Sequence, residues 1–69
     1  MPTIKQLRED RRMTQDELHI KAGVSLPAVR RMEMGEGVLA TTAKLVAGAL
    51  GVRVEDIEGV NVVHRMVRK

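Results

Sequence analysis

The sequence predicts a small all-α protein, in which five helices form one domain over residues 1–58 and a short segment, residues 59–69, follows. Three observations lead to this prediction. Apolar residues recur three and four positions apart through most of the chain. Helix-capping residues precede several of these series, and glycines follow them. With 69 residues and no cysteine, the chain has room for a single core without disulfides.

The first predicted helix covers residues 4–12. Thr3 is placed to cap it, and Ile4 and Leu7 fall on the face that points inward. Its polar side mixes cations with carboxylates: Lys5, Arg8, Arg11 and Arg12 with Glu9 and Asp10. This side is therefore compatible with an ordinary solvated face as well as with one that meets phosphates.

The second and third predicted helices meet at a tight turn within residues 14–33. Thr14 and Glu17 have the spacing of a capping box, which starts the second helix. Gly23 ends that helix because glycine readily adopts a positive φ. Ser25 caps the third helix, with Pro27 in its first turn. Two short helices that cross at such a turn form a helix-turn-helix, whose second helix fits the major groove of DNA, about 12 Å wide.

The third helix has two distinct sides. Val29 and Met32 are three residues apart and face inward. The outward side consists of two rows of residues spaced four apart: Leu26 with Arg30, and Pro27 with Arg31. The sequence therefore predicts that this helix presents both arginines away from the core.

The fourth helix is predicted over residues 42–50, and one further helical turn over residues 54–57. The inward face of the fourth helix consists of small and aliphatic residues: Ala43, Val46, Ala47 and Leu50. Gly51 ends this helix, and Val54 and Ile57 supply apolar contacts to the last turn.

The C-terminal segment, residues 59–69, alternates β-branched and polar residues and suits a strand better than a helix. A lone strand is not stable without a partner. We therefore predict that it pairs antiparallel with the same strand of a second copy, and that this ribbon makes a homodimer. The predicted dimer interface is Val60, Val62, Val63 and Met66. A helix using Val60, Val63 and Val67 and a linker to further chain are the alternatives.

Composition narrows the classes of function. No Phe, Tyr or Trp is present, which removes the aromatic platforms on which single-stranded nucleic acids stack. The formal charge is +3, from twelve Lys/Arg and nine Asp/Glu, and Arg65, Arg68 and Lys69 account for the excess. No apolar run has the length of a membrane span and no signal peptide opens the chain, so we expect a cytoplasmic protein without membrane contact.

The pattern T-Q-x-E-L-x-x-x-A-G-V-S-x-x-x-V-x-x-x-E-x-G, over residues 14–35, resembles the Cro/C1-type (XRE) helix-turn-helix family. The resemblance extends over about residues 4–57 and implies a lambda-repressor-like DNA-binding domain. In two places the chain departs from the family. His19 stands where the family generally has alanine, and we expect its ring to lean out past the helix crossing. Ile20 lies on a face that the family usually keeps polar. Its exposure is either incidental or marks a contact with the C-terminal segment or with a partner chain.

The resemblance implies which residues meet the bases. The family's base-reading positions correspond to Leu26, Pro27, Ala28 and Arg31. Leu26 and Pro27 cannot hydrogen-bond to base edges, so they would read thymine methyl groups or DNA shape. Arg31 can hold guanine O6 and N7 in a fork, whereas Arg30 is better placed for a phosphate. The alternative is that both arginines are solvated surface.

The resemblance also implies a set of phosphate contacts. In the family an arginine at the position of Arg8 pairs with the glutamate that closes the recognition helix, here Glu33, and is aimed towards a phosphate. The predicted phosphate contacts are Arg8, Gln15, Ser25, Arg30, Thr41, Thr42 and Lys44. The loop after the third helix lacks the basic residues that relatives often place there, and Glu36 repels DNA, which predicts weaker binding per protomer.

These observations predict a sequence-specific regulator of transcription, a repressor that binds double-stranded DNA as a homodimer on an inverted repeat. The alternative is an antitoxin or another protein-binding module that pairs with a partner protein and represses its own operon. An enzyme is not expected, because no nucleophile–base pair, carboxylate dyad or phosphate-binding glycine loop is present. No cofactor or metal is expected either, since His64 is the only histidine besides His19.

Overall fold

The computed structural model describes residues 1–63, which form four α-helices, one 3₁₀ turn and two short strands. Their bounds are α1 Ile4–Asp10, α2 Gln15–Ala22, α3 Leu26–Glu33, β1 Gly37–Leu39, α4 Ala40–Leu50, the 3₁₀ turn Val54–Asp56 and β2 Asn61–Val63. The prediction of a helical domain is confirmed. Its fifth helix is a single 3₁₀ turn. β1 stands where the sequence predicted a loop, and β2 lies within the C-terminal segment, where a strand was predicted.

Reciprocal side-chain caps begin the first two helices. The Thr3 hydroxyl accepts a hydrogen bond from the Gln6 N–H, and the Gln6 side chain accepts one from the Thr3 N–H. Thr14 and Glu17 form the same arrangement at the start of α2. Each capping box satisfies two N–H groups that the helix itself leaves unpaired. The two helices therefore begin where their sequence signals place them.

The turn between α2 and α3 sets the direction of α3. Gly23 ends α2 with a φ of 76°, a left-handed conformation that glycine adopts without steric cost. The Ser25 hydroxyl then accepts a hydrogen bond from the Ala28 N–H and begins α3. The helix-turn-helix thus rests on one glycine and one cap within three residues.

A single core holds the helices together. It is built from aliphatic residues of every helix, and from Val38 and Ile57 in the segments between and after them: Ile4, Leu7, Leu18, Ala22, Val29, Met32, Val38, Ala43, Val46, Ala47, Leu50 and Ile57. Leu18 of α2 and Val29 of α3 are fully buried within it. Because α2 packs against both α3 and α4, α3 is held on its inner side and exposed on its outer side.

The two strands form a small parallel sheet, so β2 does not require the strand of a second copy as its partner. Val38 of β1 lies opposite Val62 of β2, and Leu39 lies opposite Val63. Val60 and Val62 are half-buried and pack against the core of their own domain, whereas Val63 is exposed; the dimer interface that includes them stays a prediction. The strand finds its partner within the chain, because the segment after α3 is extended. Met66, the fourth residue of that interface, lies outside the described residues.

A glycine allows the two strands to lie close together. A Cβ added at Gly37 would stand 2.6 Å from Cγ1 of Val63, and the branched side chain of Val63 has little freedom to move away. We expect Gly37→Ala to lower the free energy of unfolding by about 1–3 kcal/mol through overpacking, measured by urea denaturation. The double variant Gly37→Ala/Val63→Ala should recover part of this loss. No recovery would contradict the proposed steric cause.

Candidate nucleic-acid interface

The outer side of α3 carries an exposed cationic surface. Pro27, Arg30 and Arg31 are exposed, and Leu26 is half-buried at the start of the helix. Ala28 is only 6% exposed, so it offers little surface to a base, and its assignment as a base-reading residue stays a prediction. Its methyl group lies on the side of α3 that faces β1, and the sequence predicted no strand there.

An ion pair braces the end of α3 against the rest of the helix-turn-helix. The Arg8 Nε–H donates to Glu33 Oε2 at 2.7 Å, and an Nη2–H donates to Oε1 at 3.3 Å. A third donor of Arg8, on Nη1, bonds to the Met13 carbonyl at 2.9 Å. The hydrogen bond to Glu33 raises the pKa of the Arg8 guanidinium above its ordinary value. The structure therefore brings together the two residues of the predicted pair.

Gln15 joins the same network from the start of α2. Its side-chain amide donates to Glu33 Oε1 at 3.0 Å. The Glu33 carboxylate of α3 is therefore bonded to a residue of α1 and to a residue of α2. The side chains of Arg8 and Glu33 are only 12% and 9% exposed. With three donors used inside the chain, Arg8 is a positioning residue, and little of it remains accessible to a phosphate. No pattern in the sequence indicates that Gln15 contributes to this brace.

His19 ties α2 to the turn, which corrects the expectation that its ring leans outward. Its Nδ1 lies 3.0 Å from the Val24 carbonyl oxygen. Because a carbonyl only accepts hydrogen bonds, Nδ1 carries the proton and donates. The Val24 N–H in turn donates to the His19 carbonyl at 3.1 Å. This reciprocal pair stiffens the corner from which α3 starts.

A cavity of about 250 Å³ lies between α3, the outer side of the sheet and the start of α4. Arg31 and Thr42 both line it, and Leu39 and Val63 form its apolar wall. Thr41 and Lys44 are exposed on the same first turns of α4, and Ser25 is exposed at the start of α3. The structure thus brings Arg31 and Thr42 to one place, although they come from different helices.

The positive charge on the outer side of α3 does not reflect a net positive charge of the described residues. Residues 1–63 contain nine Lys/Arg and nine Asp/Glu, since the three remaining cations lie at positions 65, 68 and 69. The described residues also bring together no group of three or more His, Cys, Asp or Glu side chains suited to a metal ion. What attracts an anion to the outer side of α3 is therefore local, and comes from Arg30 and Arg31.

A family model described as helix-turn-helix matches residues 4–57 of the chain. The matched range contains α1 to α4 and the 3₁₀ turn, and ends before β2. No curated protein and no solved structure matches the chain. Within residues 1–63, no helix has both the length and the apolar character required to cross a membrane.

Proposed function

This chain belongs to the Cro/C1-type helix-turn-helix family of DNA-binding transcription regulators, and from that premise we propose that it is a repressor. In this proposal it binds an inverted-repeat operator in double-stranded DNA as a homodimer. Occupying a promoter excludes polymerase, and no chemical step is required. The two recognition helices enter successive major grooves about 34 Å apart.

The observation that carries the proposal is the exposed outer side of α3, held rigid at both ends. Its start is fixed by the Ser25 cap and its end by the Arg8–Glu33 pair. Arg31 enters the major groove and reads guanine through O6 and N7, because the guanidinium matches this pair of acceptors. Leu26 and Pro27 offer only carbon atoms, so they contact thymine methyl groups or respond to the shape of the groove.

Phosphate contacts surround this reading surface and fix the position and orientation of the protein on the duplex. We propose that they are made by Gln15, Ser25, Arg30, Thr41, Thr42 and Lys44, which lie at the starts of α2, α3 and α4 and on the outer side of α3. The first turn of a helix offers unpaired N–H groups as well as side chains. Arg8 acts through Glu33 by holding α3 in place.

Selection of bound duplexes from a random pool tests the proposal. We expect an inverted repeat whose half-sites are one helical turn apart, and an affinity that falls steeply with salt. Arg31→Ala should relax the base preference at one position in each half-site, at a cost of about 1–3 kcal/mol. Lys21→Ala, which removes an exposed cation from α2, is the matched control. Unchanged preference in the Arg31 variant would refute its role as the reader.

A second candidate function is the docking of a protein partner, as in an antitoxin. Ile20 favours it, because this β-branched side chain is 72% exposed on α2 and carries no role in the proposed DNA contact. The two functions are compatible in one protein. Stoichiometric binding of a protein encoded beside this one, lost on Ile20→Asp while duplex binding persists, would establish the second.

A further inference from the structure

The outer side of α4 carries a large apolar side chain that its own core does not cover. Leu45 is 51% exposed, and Gly48, three residues further along, is exposed as well. Residues three apart are neighbours on the surface of a helix, so Leu45 stands directly beside a position without a side chain. An exposed leucine by itself requires no explanation, but here a cavity adjoins it.

This cavity, of about 290 Å³, lies between α4 and the 3₁₀ turn. Its apolar lining consists of Ala47, Gly48, Val52 and Val54. A cavity of about 150 Å³ can hold a six-carbon ring, so this one has room for the four side-chain carbons of a leucine. Leu45 lies beside the cavity and does not line it. The same surface therefore offers an apolar projection and, next to it, an apolar recess.

Gly48 keeps this recess open, although the described part of the chain does not require a glycine there. Within a helix, glycine is less favourable than alanine. A Cβ added at Gly48 would meet no atom within 4 Å, and Gly48 is not among the glycines with a positive φ. The missing side chain thus relieves no clash and no backbone strain within residues 1–63. It allows a side chain from outside to approach the helix backbone closely.

We propose that this surface joins two copies of the chain, and that Leu45 of each copy is seated against Gly48 in the cavity of the other. This inference rests on the proposed function, which requires a homodimer, and it gives that homodimer an interface. The occupant is a second copy because the projection and the recess lie side by side on one surface. A twofold rotation exchanges them, so both recesses are filled at once, as in an isologous interface. Neither residue belongs to the proposed DNA contacts.

The charged residues of the cavity suit the rim of such an interface. Arg53 Nη1 lies 3.8 Å from Glu55 Oε2, and these side chains are 74% and 69% exposed. Lys44, the third charged residue that lines the cavity, is exposed too. Because the rim carries charges of both signs, two identical rims can meet with cations near carboxylates. The apolar residues then form the centre of the interface and the charged side chains stay in contact with water.

Sedimentation equilibrium of the full chain tests the interface. We expect the unaltered chain to be a dimer at high micromolar concentration. Leu45→Asp should raise the dimer dissociation constant by at least about 100-fold, because it would place a carboxylate in each apolar recess. Ile20→Asp makes the same substitution at an exposed apolar position of α2, and this matched control should dimerise like the unaltered chain. Circular dichroism checks that both variants are folded.

A second variant fills the recess from within. Gly48→Leu has open space around the new Cβ and improves the helix propensity of α4, so the monomer should unfold at the same temperature or a higher one, while the dimer is lost. Leu45→Ala should dimerise weakly, because both recesses stay empty. A mixture of the two should form a heterodimer, since the intact Leu45 enters the intact recess and the shortened side chain faces the filled one.

The outcomes separate this inference from the proposed function. If the unaltered chain is a dimer and Leu45→Asp remains one, this interface is refuted and the proposed function stands. A mixture that yields no heterodimer refutes the reciprocal fit of Leu45 and Gly48. An unaltered chain that remains monomeric at about 1 mM, where a contact of even 4 kcal/mol would be populated, also refutes the interface. Absence of salt-dependent duplex binding by the unaltered chain would instead overturn the proposed function, whatever its association state.

Discussion

Glu33→Ala is expected to lower the free energy of unfolding by about 1–3 kcal/mol, because it leaves the hydrogen-bonding groups of a partly buried ion pair without their partner. Arg8 loses two hydrogen bonds and keeps only its bond to the Met13 carbonyl, and the Gln15 amide loses its acceptor. Urea denaturation followed by circular dichroism measures the change. A domain of this size has a small free energy of unfolding, so we expect the variant to be largely unfolded at 37 °C.

The control for this prediction is an ion pair on the surface. Arg53 bonds to Asp56 through Nε at 3.2 Å, but its side chain is 74% exposed. Arg53→Ala should leave the urea midpoint unchanged, because water and salt screen such a pair. Glu33→Gln keeps the side-chain volume and one acceptor. Its loss of unfolding free energy should lie between those of Glu33→Ala and Arg53→Ala. If Glu33→Ala costs no more than Arg53→Ala, the pair does not brace α3.

The second large effect is expected from Leu18→Ala. Leu18 is fully buried where α2 packs against α3 and α4, and removing its three outer carbons leaves a cavity in a core with little capacity to close it. Substitutions of this kind cost about 2–5 kcal/mol. Thermal unfolding and the urea midpoint measure the loss.

Ile20→Ala provides the matched comparison on the same helix. Ile20 lies two residues further along and is largely solvent-exposed, so its truncation should change the stability of the isolated protein by less than about 0.5 kcal/mol. Equal losses in the two variants would contradict the packing described for α2. If Ile20→Ala is as stable as the unaltered protein, a loss of partner binding in this variant can be attributed to the lost contact and not to unfolding.

Local signals in the sequence were sufficient for the helix-turn-helix itself. The Thr14–Glu17 spacing, Gly23 and the Ser25 cap act within a few residues of one another, so no tertiary contact is required to predict them. The inward positions of Val29 and Met32 follow from helical periodicity in the same way. The order and placement of α1 to α4 could therefore be predicted, to within two residues at their ends.

The sheet could not be predicted, because its pairing is not local. Gly37 and Asn61 are paired across 24 positions of sequence. Alternation predicted a strand in the segment that contains β2, but β1 has only three residues, too few for an alternating pattern. The burial of Ala28, which is 6% exposed, was not predicted either. His19 was missed differently: its hydrogen bond to the Val24 carbonyl depends on a ring orientation that no spacing specifies.

Of the candidate site, the Arg8–Glu33 pair was expected only through the family resemblance, since the two residues are 25 positions apart. The participation of Gln15 requires the three helices to be assembled, and no sequence pattern marks it. The outward direction of Arg30 and Arg31, in contrast, follows from the period of a single helix. The reading surface was therefore more predictable than the network that holds it.

A thermodynamic cycle tests whether Arg31 reads a guanine in the major groove. Once an operator has been selected, the guanine assigned to Arg31 is replaced by 7-deazaguanine, which lacks the N7 acceptor, and affinities are measured for the unaltered protein and for Arg31→Ala. If Arg31 reads this guanine, the base change should cost the unaltered protein about 1–3 kcal/mol of binding free energy and should leave the affinity of the variant unaffected. Equal losses in both proteins would contradict it.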